Sequence, residues 1–304
     1  MNGHMDALGL LGEIRGLIAT HARPDMQTPI AGLLLSKVTD ETPDYSLTEP
    51  LFVVLAQGGK RLLLGDRVFE YRAGECLVVT ADLPVSGHFL GASRNTPALG
   101  VALTLRPSVI APLLLEAPVD SAPRTRANSA MDTGTLDGPL LDAVARMLRL
   151  LDQPDDAPVL APLVEREILW RLITGPHGAM VRQIGLADSG LSYVSRAIKW
   201  IRDNYAEPMR VDDLAGLAGM STSAFHRHFR GVTNMSPLQF QKCIRLQEAR
   251  SLLASGAGDV AGVGHLVGYD SPSQFSREYR RMFGSPPSED AARLRAEPTA
   301  TPRL

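Results

Sequence analysis

The spacing of apolar residues changes character along the chain, and each change marks a different kind of element. Over residues 6–23, Leu8, Leu11, Ile14, Leu17 and Ile18 recur every three or four positions, which predicts a short amphipathic helix. Between Thr28 and Leu105 the apolar runs are short and close together: 31–35, 51–56, 62–64, 76–80 and 99–105. Gly58-Gly59, Gly65-Asp66 and Ala73-Gly74 punctuate them. Many short strands separated by turn residues predict an antiparallel barrel or jelly roll. From Pro107 to Ala187 the helical period returns. One stripe comprises Leu140, Leu141, Val144, Met147, Leu148 and Leu151. A second comprises Leu160, Leu163, Val164, Ile168, Leu169, Leu172 and Ile173, with the proline-rich stretch 153–162 between the two. Such stripes are expected to cover the barrel and to offer a homodimer seam. Residues 188–192 read as a linker. After them Val194, Ile198 and Ile201 begin a further set of helices.

Residues 211–287 carry one pattern twice. Val211, Leu214, Ala218 and Gly219 lie 49 positions ahead of Val260, Val263, Val267 and Gly268. Ser221, Ser223, Phe225, Arg227, Phe229 and Arg230 lie 50 ahead of Ser271, Ser273, Phe275, Arg277, Tyr279 and Arg280, and Pro237 maps to Pro287. Each copy reads as helix, tight turn, helix. Gly219 stands where a helix end takes a left-handed residue, and Ser221 is a suitable N-cap for the next helix. Phe225 and Phe229, four apart, point inward and leave Ser223, Ala224, His226, Arg227 and Arg230 outside. A polar, basic second helix of this kind fits a DNA major groove. Ser236-Pro237 opens a long helix joining the two copies. The glycines between Gly256 and Gly264 lack the spacing of a nucleotide-binding loop. Gly262 and Gly264, inside a helix, each cost roughly 1 kcal/mol against alanine and predict a softer second copy.

Composition narrows the chemistry. At 304 residues, 44% apolar and 21% charged, the chain suits two globular domains. No apolar run is long enough for a membrane span and no signal peptide is visible, so a cytoplasmic protein is expected. Cys76 and Cys243 fall in different domains and form no disulfide framework, and Cys76 reads as a buried strand residue. The net charge of −2 hides a division: residues 1–192 hold 16 basic against 22 acidic side chains, and residues 193–295 hold 14 against 10. Local charge sets attraction to phosphate. Within the strand-rich segment His88 is the single histidine, too few for a three-ligand metal site, so no cofactor and no enzyme activity are expected.

The motif Ser-x-Ser-x-Phe-x-Arg-x-Phe-Arg, then Met-Ser-Pro, a long helix and Gly-Tyr-x-Ser-x-Ser-x-Phe-Ser-Arg-x-Tyr-Arg, resembles the AraC/XylS family of transcription regulators over residues 193–293. The resemblance implies base-reading roles for Ser223, His226 and Arg227 in the first copy and for Ser273, Ser276 and Arg277 in the second. Arg230, Arg280 and Arg281 are assigned to phosphate, and Ser221, Ala224, Ser271 and Gln274 complete the expected DNA-facing set. The segments around Glu49-Pro50, Gln57-Gly58-x-Lys60 and Tyr71-x-Ala-Gly74 resemble the cupin-type sensor domain of one branch of that family. They imply a small-molecule effector, with Gln57, Tyr71 and His88 as candidate contacts.

The expected architecture is α+β: an arm (1–27), a cupin-like antiparallel barrel (28–106), a helical extension with a dimerisation surface (107–187), a linker (188–192), an all-α domain with two helix-turn-helix motifs (193–295) and a tail (296–304). The expected function is a sequence-specific DNA-binding regulator, an activator contacting RNA polymerase and acting as a homodimer. The alternatives are a ligand-independent DNA binder whose barrel is filled by its own side chains and, disfavoured by the lack of metal ligands, a cupin enzyme fused to a DNA-binding domain.

Overall fold

The computed structural model describes residues 2–117, 129–186 and 190–296. The tail beyond residue 296 and linker positions 188–189 lie outside them, and 190–192 already belong to a helix. Helix α1 (Asn2–His21) leads into nine strands. Strands β1 (Leu33–Val38), β8 (Ala98–Thr104), β3 (Leu51–Gln57), β6 (Glu75–Val79) and β9 (Met131–Thr135) form one sheet in that order. Strands β2 (Asp44–Thr48), β7 (Leu83–Leu90), β4 (Gly59–Leu64) and β5 (Arg67–Arg72) form the other. All the pairings are antiparallel, and the sheets face each other without closing into one hydrogen-bonded barrel.

Four strands lie outside the apolar runs of the sequence. β2 intersperses Asp44, Ser46 and Thr48 with Tyr45 and Leu47, β5 carries Arg67, Glu70 and Arg72 among its apolar residues, and β7 is broken by Pro84 and Gly87. β9 comes from the segment expected to be helical. Its Met-Asp-Thr-Gly-Thr carries little apolar signal and is held by its register against β6, with Val79 opposite Met131 and Glu75 opposite Thr135.

The five-stranded sheet is buried on both faces, which is why β3 reads as an unbroken apolar run. Its outer face, with Phe52, Val54, Val101 and Leu103, packs on α1, α3 (Gly138–Arg149), α4 (Ala157–Thr174) and α5 (Gly178–Gly185). The helical extension thus covers the sheets. The second stripe is only partly used: Ile168, Leu169, Leu172 and Ile173 are buried, whereas Leu160 and Leu163, with neighbouring Val159, are exposed. Pro162 lies inside α4 instead of in a separating loop. Glu165 is buried and takes two bonds from Arg106. Short α2 (Pro107–Glu116) lies beside α5.

The C-terminal part is all helical: α6 (Gly190–Asp203), α7 (Val211–Leu217), α8 (Thr222–Thr233), α9 (Pro237–Ser255), α10 (Val260–Leu266), α11 (Pro272–Phe283) and α12 (Pro287–Ala296). Among the described residues no helix is long and apolar enough to cross a membrane.

Candidate nucleic-acid interface and barrel cavity

Two helix-turn-helix units, α7–α8 and α10–α11, repeat one construction. Gly219 and Gly268 turn the chain at φ +64° and +89°, a region open to glycine without steric cost. Ser221 and Ser271 then cap α8 and α11, accepting from the backbone N–H of Ala224 at 3.4 Å and Gln274 at 3.3 Å. Phe225 and Phe229 are wholly buried and continue to Phe240, with ring centres 5.4 Å apart at each step. The second unit repeats this with Tyr269, Phe275, Tyr279 and Phe283.

The aromatic anchors force the rest of each helix outward. Ser223, His226, Arg227 and Arg230 on α8 are exposed, as are Ser273, Gln274, Arg277, Arg280 and Arg281 on α11 and its flank; Ala224 and Ser276 are half-buried. The hydroxyls of Ser221 and Ser271 are engaged as caps, and the Gln274 amide donates to Glu278 at 3.3 Å. None of Arg227, Arg230, Arg277, Arg280 and Arg281 has a carboxylate partner among the described residues. Nine arginines elsewhere in the chain are tied: Arg61, Arg72, Arg106, Arg146, Arg149, Arg166, Arg171, Arg202 and Arg250 each hold an Asp or Glu. Arg230 and Arg281 also line a cleft of about 500 Å³ opposite the Gly65–Asp66 turn of the barrel.

Two features of the interface escaped the sequence. Ser236 caps α9 as expected, and Gln239 completes a capping box by reaching back to the Ser236 amide. Arg245, in the middle of α9, donates to the carbonyls of Tyr205, Ala206 and Glu207 in the loop between α6 and α7 and of Gly268 in the second unit. Burial pulls its pKa down. One guanidinium therefore rivets the loop that leads into the first unit and the turn of the second to the connecting helix.

Between the two sheets lies a cavity of about 230 Å³, lined by Leu34, Val53, Leu62, Leu77, Val79 and Val85 and by Lys60. Lys60 is 2% exposed, with its ammonium 4.7 Å from the centre of the Phe89 ring. It lies in register with Tyr71 and Phe89 on the inward face. Tyr71 is buried, its hydroxyl has no hydrogen-bond partner among the described residues, and burial raises its pKa. Gln57 donates to the carbonyl of Pro97 at 2.7 Å. His88 alternates with buried Gly87 and Phe89, which places it on the outer side of its sheet opposite Arg61. None of Gln57, Tyr71 and His88 lines the cavity. The inward position of Lys60 was readable only with the register known.

Cys76 is buried as expected, and burial pushes its thiol up to about 12. Its sulfur lies 3.7 Å from Nε2 of His177, and Nδ1 of that ring faces Asp132 at 3.4 Å. Nothing in the sequence pointed to this cluster. The raised thiol makes it a packing contact.

A family model described as "AraC-type transcriptional regulator N-terminus" matches residues 29–180, and one described as a helix-turn-helix domain matches residues 214–293. The transcriptional activator RhaS of Escherichia coli O1:K1 is 24% identical over 153 residues, covering 49% of this chain and 54% of its own length. VirF, the virulence regulon transcriptional activator of Yersinia enterocolitica, is 27% identical over 150 residues, covering 49% and 55%. The match thus spans about half the length of these relatives. Crystal structures of ToxT from Vibrio cholerae share the fold at a TM-score of 0.56. The apo form is 12% identical and covers 88% of this chain and 100% of that one; the unsaturated fatty acid-bound form is 11% identical and covers 88% and 97%.

Proposed function

Because the chain belongs to the AraC-type family of transcriptional regulators, we propose that it is a sequence-specific DNA-binding regulator, an activator whose barrel senses a small molecule. The observation that carries this reading is the set of five arginines on two matching helices, all exposed and none engaged by a carboxylate among the described residues. Guanidinium groups held outward in this way suit guanine edges and phosphate oxygens. Arg227 and Arg277, with Ser223, His226, Ser273 and Ser276, are assigned to bases, and Arg230, Arg280 and Arg281 to phosphate. Ser221 and Ser271 contribute by capping, which aims helix N-termini at the duplex. With α9 as a spacer, the two helices address neighbouring major grooves, roughly 34 Å apart.

Selection of binding sites from a random duplex library with the full chain supplies a cognate sequence. Arg227→Ala is then expected to weaken binding to that duplex by about 1–3 kcal/mol in a fluorescence-anisotropy titration. An unchanged affinity would remove Arg227 from the interface.

The cavity favours a sensor over a purely structural barrel, since the space between the sheets is not filled by side chains and its mostly aliphatic lining, with Lys60, Glu49, Ser46 and Thr48 at its wall, suits a small molecule. An apolar molecule bearing an anionic group fits this lining, as does the class of ligand named for ToxT. Oleate as a probe should raise Tm of the full chain, and Lys60→Met should abolish that shift. The exposed Val159, Leu160 and Leu163 on α4 support a homodimer seam. The regulator acts on cytoplasmic DNA, with RNA polymerase as its further partner.

A further inference from the structure

The two helix-turn-helix units are attached to the barrel in different ways. The first unit is continuous with it: Leu83, Val85 and Met131 of the barrel and Ile198, Phe229 and Met235 of the helices belong to one apolar cluster. Polar contacts reinforce the join. Arg202 meets Asp82 at 2.6 Å, and the amide of Ala130 donates to the carbonyl of Val232 at 3.2 Å. The β4–β5 turn presses so near that a Cβ on Gly65 would stand 2.7 Å from the carbonyl oxygen of Asn234.

The second unit has its own core, with Leu246, Leu253, Val263, Phe275 and Tyr279. It meets the barrel at edge strand β2 and its neighbour β7. The Tyr45 ring stands edge-on to Phe283 with centres 4.7 Å apart, and the guanidinium of Arg250 lies 4.9 Å from its centre. Arg250 and Tyr279 both donate to the buried carboxylate of Asp290 at 2.8 Å, so Tyr45 is seated on the network that fixes α11 to α12. Beside it, the side-chain amide of Gln247 donates to the carbonyls of Ser46 at 3.3 Å and Val85 at 3.2 Å. Ser46, Leu47, Thr48 and Val85 also line the barrel cavity.

We propose that β2 is a latch: Tyr45 and Gln247 are positioning residues that set the second helix-turn-helix unit relative to the first, and occupancy of the cavity acts on DNA binding by displacing this strand. The coupling to the cavity rests on the sensor reading above; the latch itself rests on the contacts. A shared apolar core moves with the barrel as one body. One aromatic and cationic contact with two amide bonds is a far weaker hold, and a small shift of β2 changes it first. A ligand drives that shift only by favouring one placement of the strand over another.

Hydrogen exchange on the full chain tests the latch. Tyr45→Ala and Gln247→Ala should each speed exchange across α10 and α11 about fivefold or more, and leave α7, α8 and β3 within about twofold. Tyr45→Phe keeps the ring and should behave as the unaltered chain. Equal loosening of both units, or no change in α11, overturns the latch. With oleate as the probe, protection of β2 together with altered exchange in α11, lost in Tyr45→Ala, supports the coupling. Protection of β2 with α11 unchanged overturns it. Oleate that neither protects β2 nor raises Tm refutes the anionic-effector reading, and the latch is then decided by the Tyr45 and Gln247 variants alone.

Discussion

Gly264 has a value that its place in a helix conceals. Propensity alone treats it as a defect costing roughly 1 kcal/mol against alanine. In the fold a Cβ there would stand 2.9 Å from Cδ1 and 3.1 Å from Cγ of Phe275, a ring with no room to move because it is fully buried. Packing therefore reverses the sign: Gly264→Ala should destabilise by about 1–3 kcal/mol. Gly216, in α7, has nothing within 4 Å of its added Cβ, and Gly216→Ala should stabilise by about 0.5–1 kcal/mol. Urea midpoints of the two variants check the pair, and a gain from Gly264→Ala would restore the reading of a soft second unit. Lys60 and His177 were hidden in the same way. Whether a strand residue faces in depends on register, and the tie from His177 to Cys76 crosses 101 residues of sequence.

At the scale of elements, the helix-turn-helix units were legible because each boundary has a local physical cause. A left-handed glycine ends one helix, a serine caps the next, and aromatic residues four apart fix its buried face. β2, β5, β7 and β9 had no such local cause. They exist because neighbouring strands satisfy their backbones, and short polar sequences record nothing of that. Arg245 belongs to this class, since its role depends on two distant turns meeting on α9. Arg245→Met takes a donor from four carbonyls, of which Tyr205 and Glu207 keep the Gln241 amide, and should cost about 2–4 kcal/mol. Arg245→Lys should restore little of it, because an ammonium cannot span carbonyls that a planar fork reaches together. Thermal melts of the two variants measure this. Full recovery with lysine would mean that charge alone sufficed.

For the whole molecule, free charge matters more than net charge. The excess in residues 193–295 is only four, from 14 basic against 10 acidic side chains, yet all five arginines of α8 and α11 carry no carboxylate partner among the described residues. In the barrel and its helices seven arginines hold carboxylates, several of them lowering the pKa of their acidic partners. Burial opposes part of this effect at Glu13 and Glu167, where bonds from Arg149, Arg146 and Arg171 dominate. A duplex arriving at α8 and α11 thus meets guanidinium groups whose only competitors are water and salt. Each phosphate they neutralise adds about 0.9 to the negative slope of log affinity against log salt. With three arginines assigned to phosphate the slope should be near −3. Arg280→Ala should reduce it by about 1 and weaken cognate and random duplexes alike, whereas Arg227→Ala should mainly weaken the cognate. Arg280 is the informative choice because Arg230 and Arg281 also border the cleft facing the barrel. A slope unchanged by Arg280→Ala would move the phosphate contacts to those two residues and turn the cleft-lining side of the helices toward the duplex.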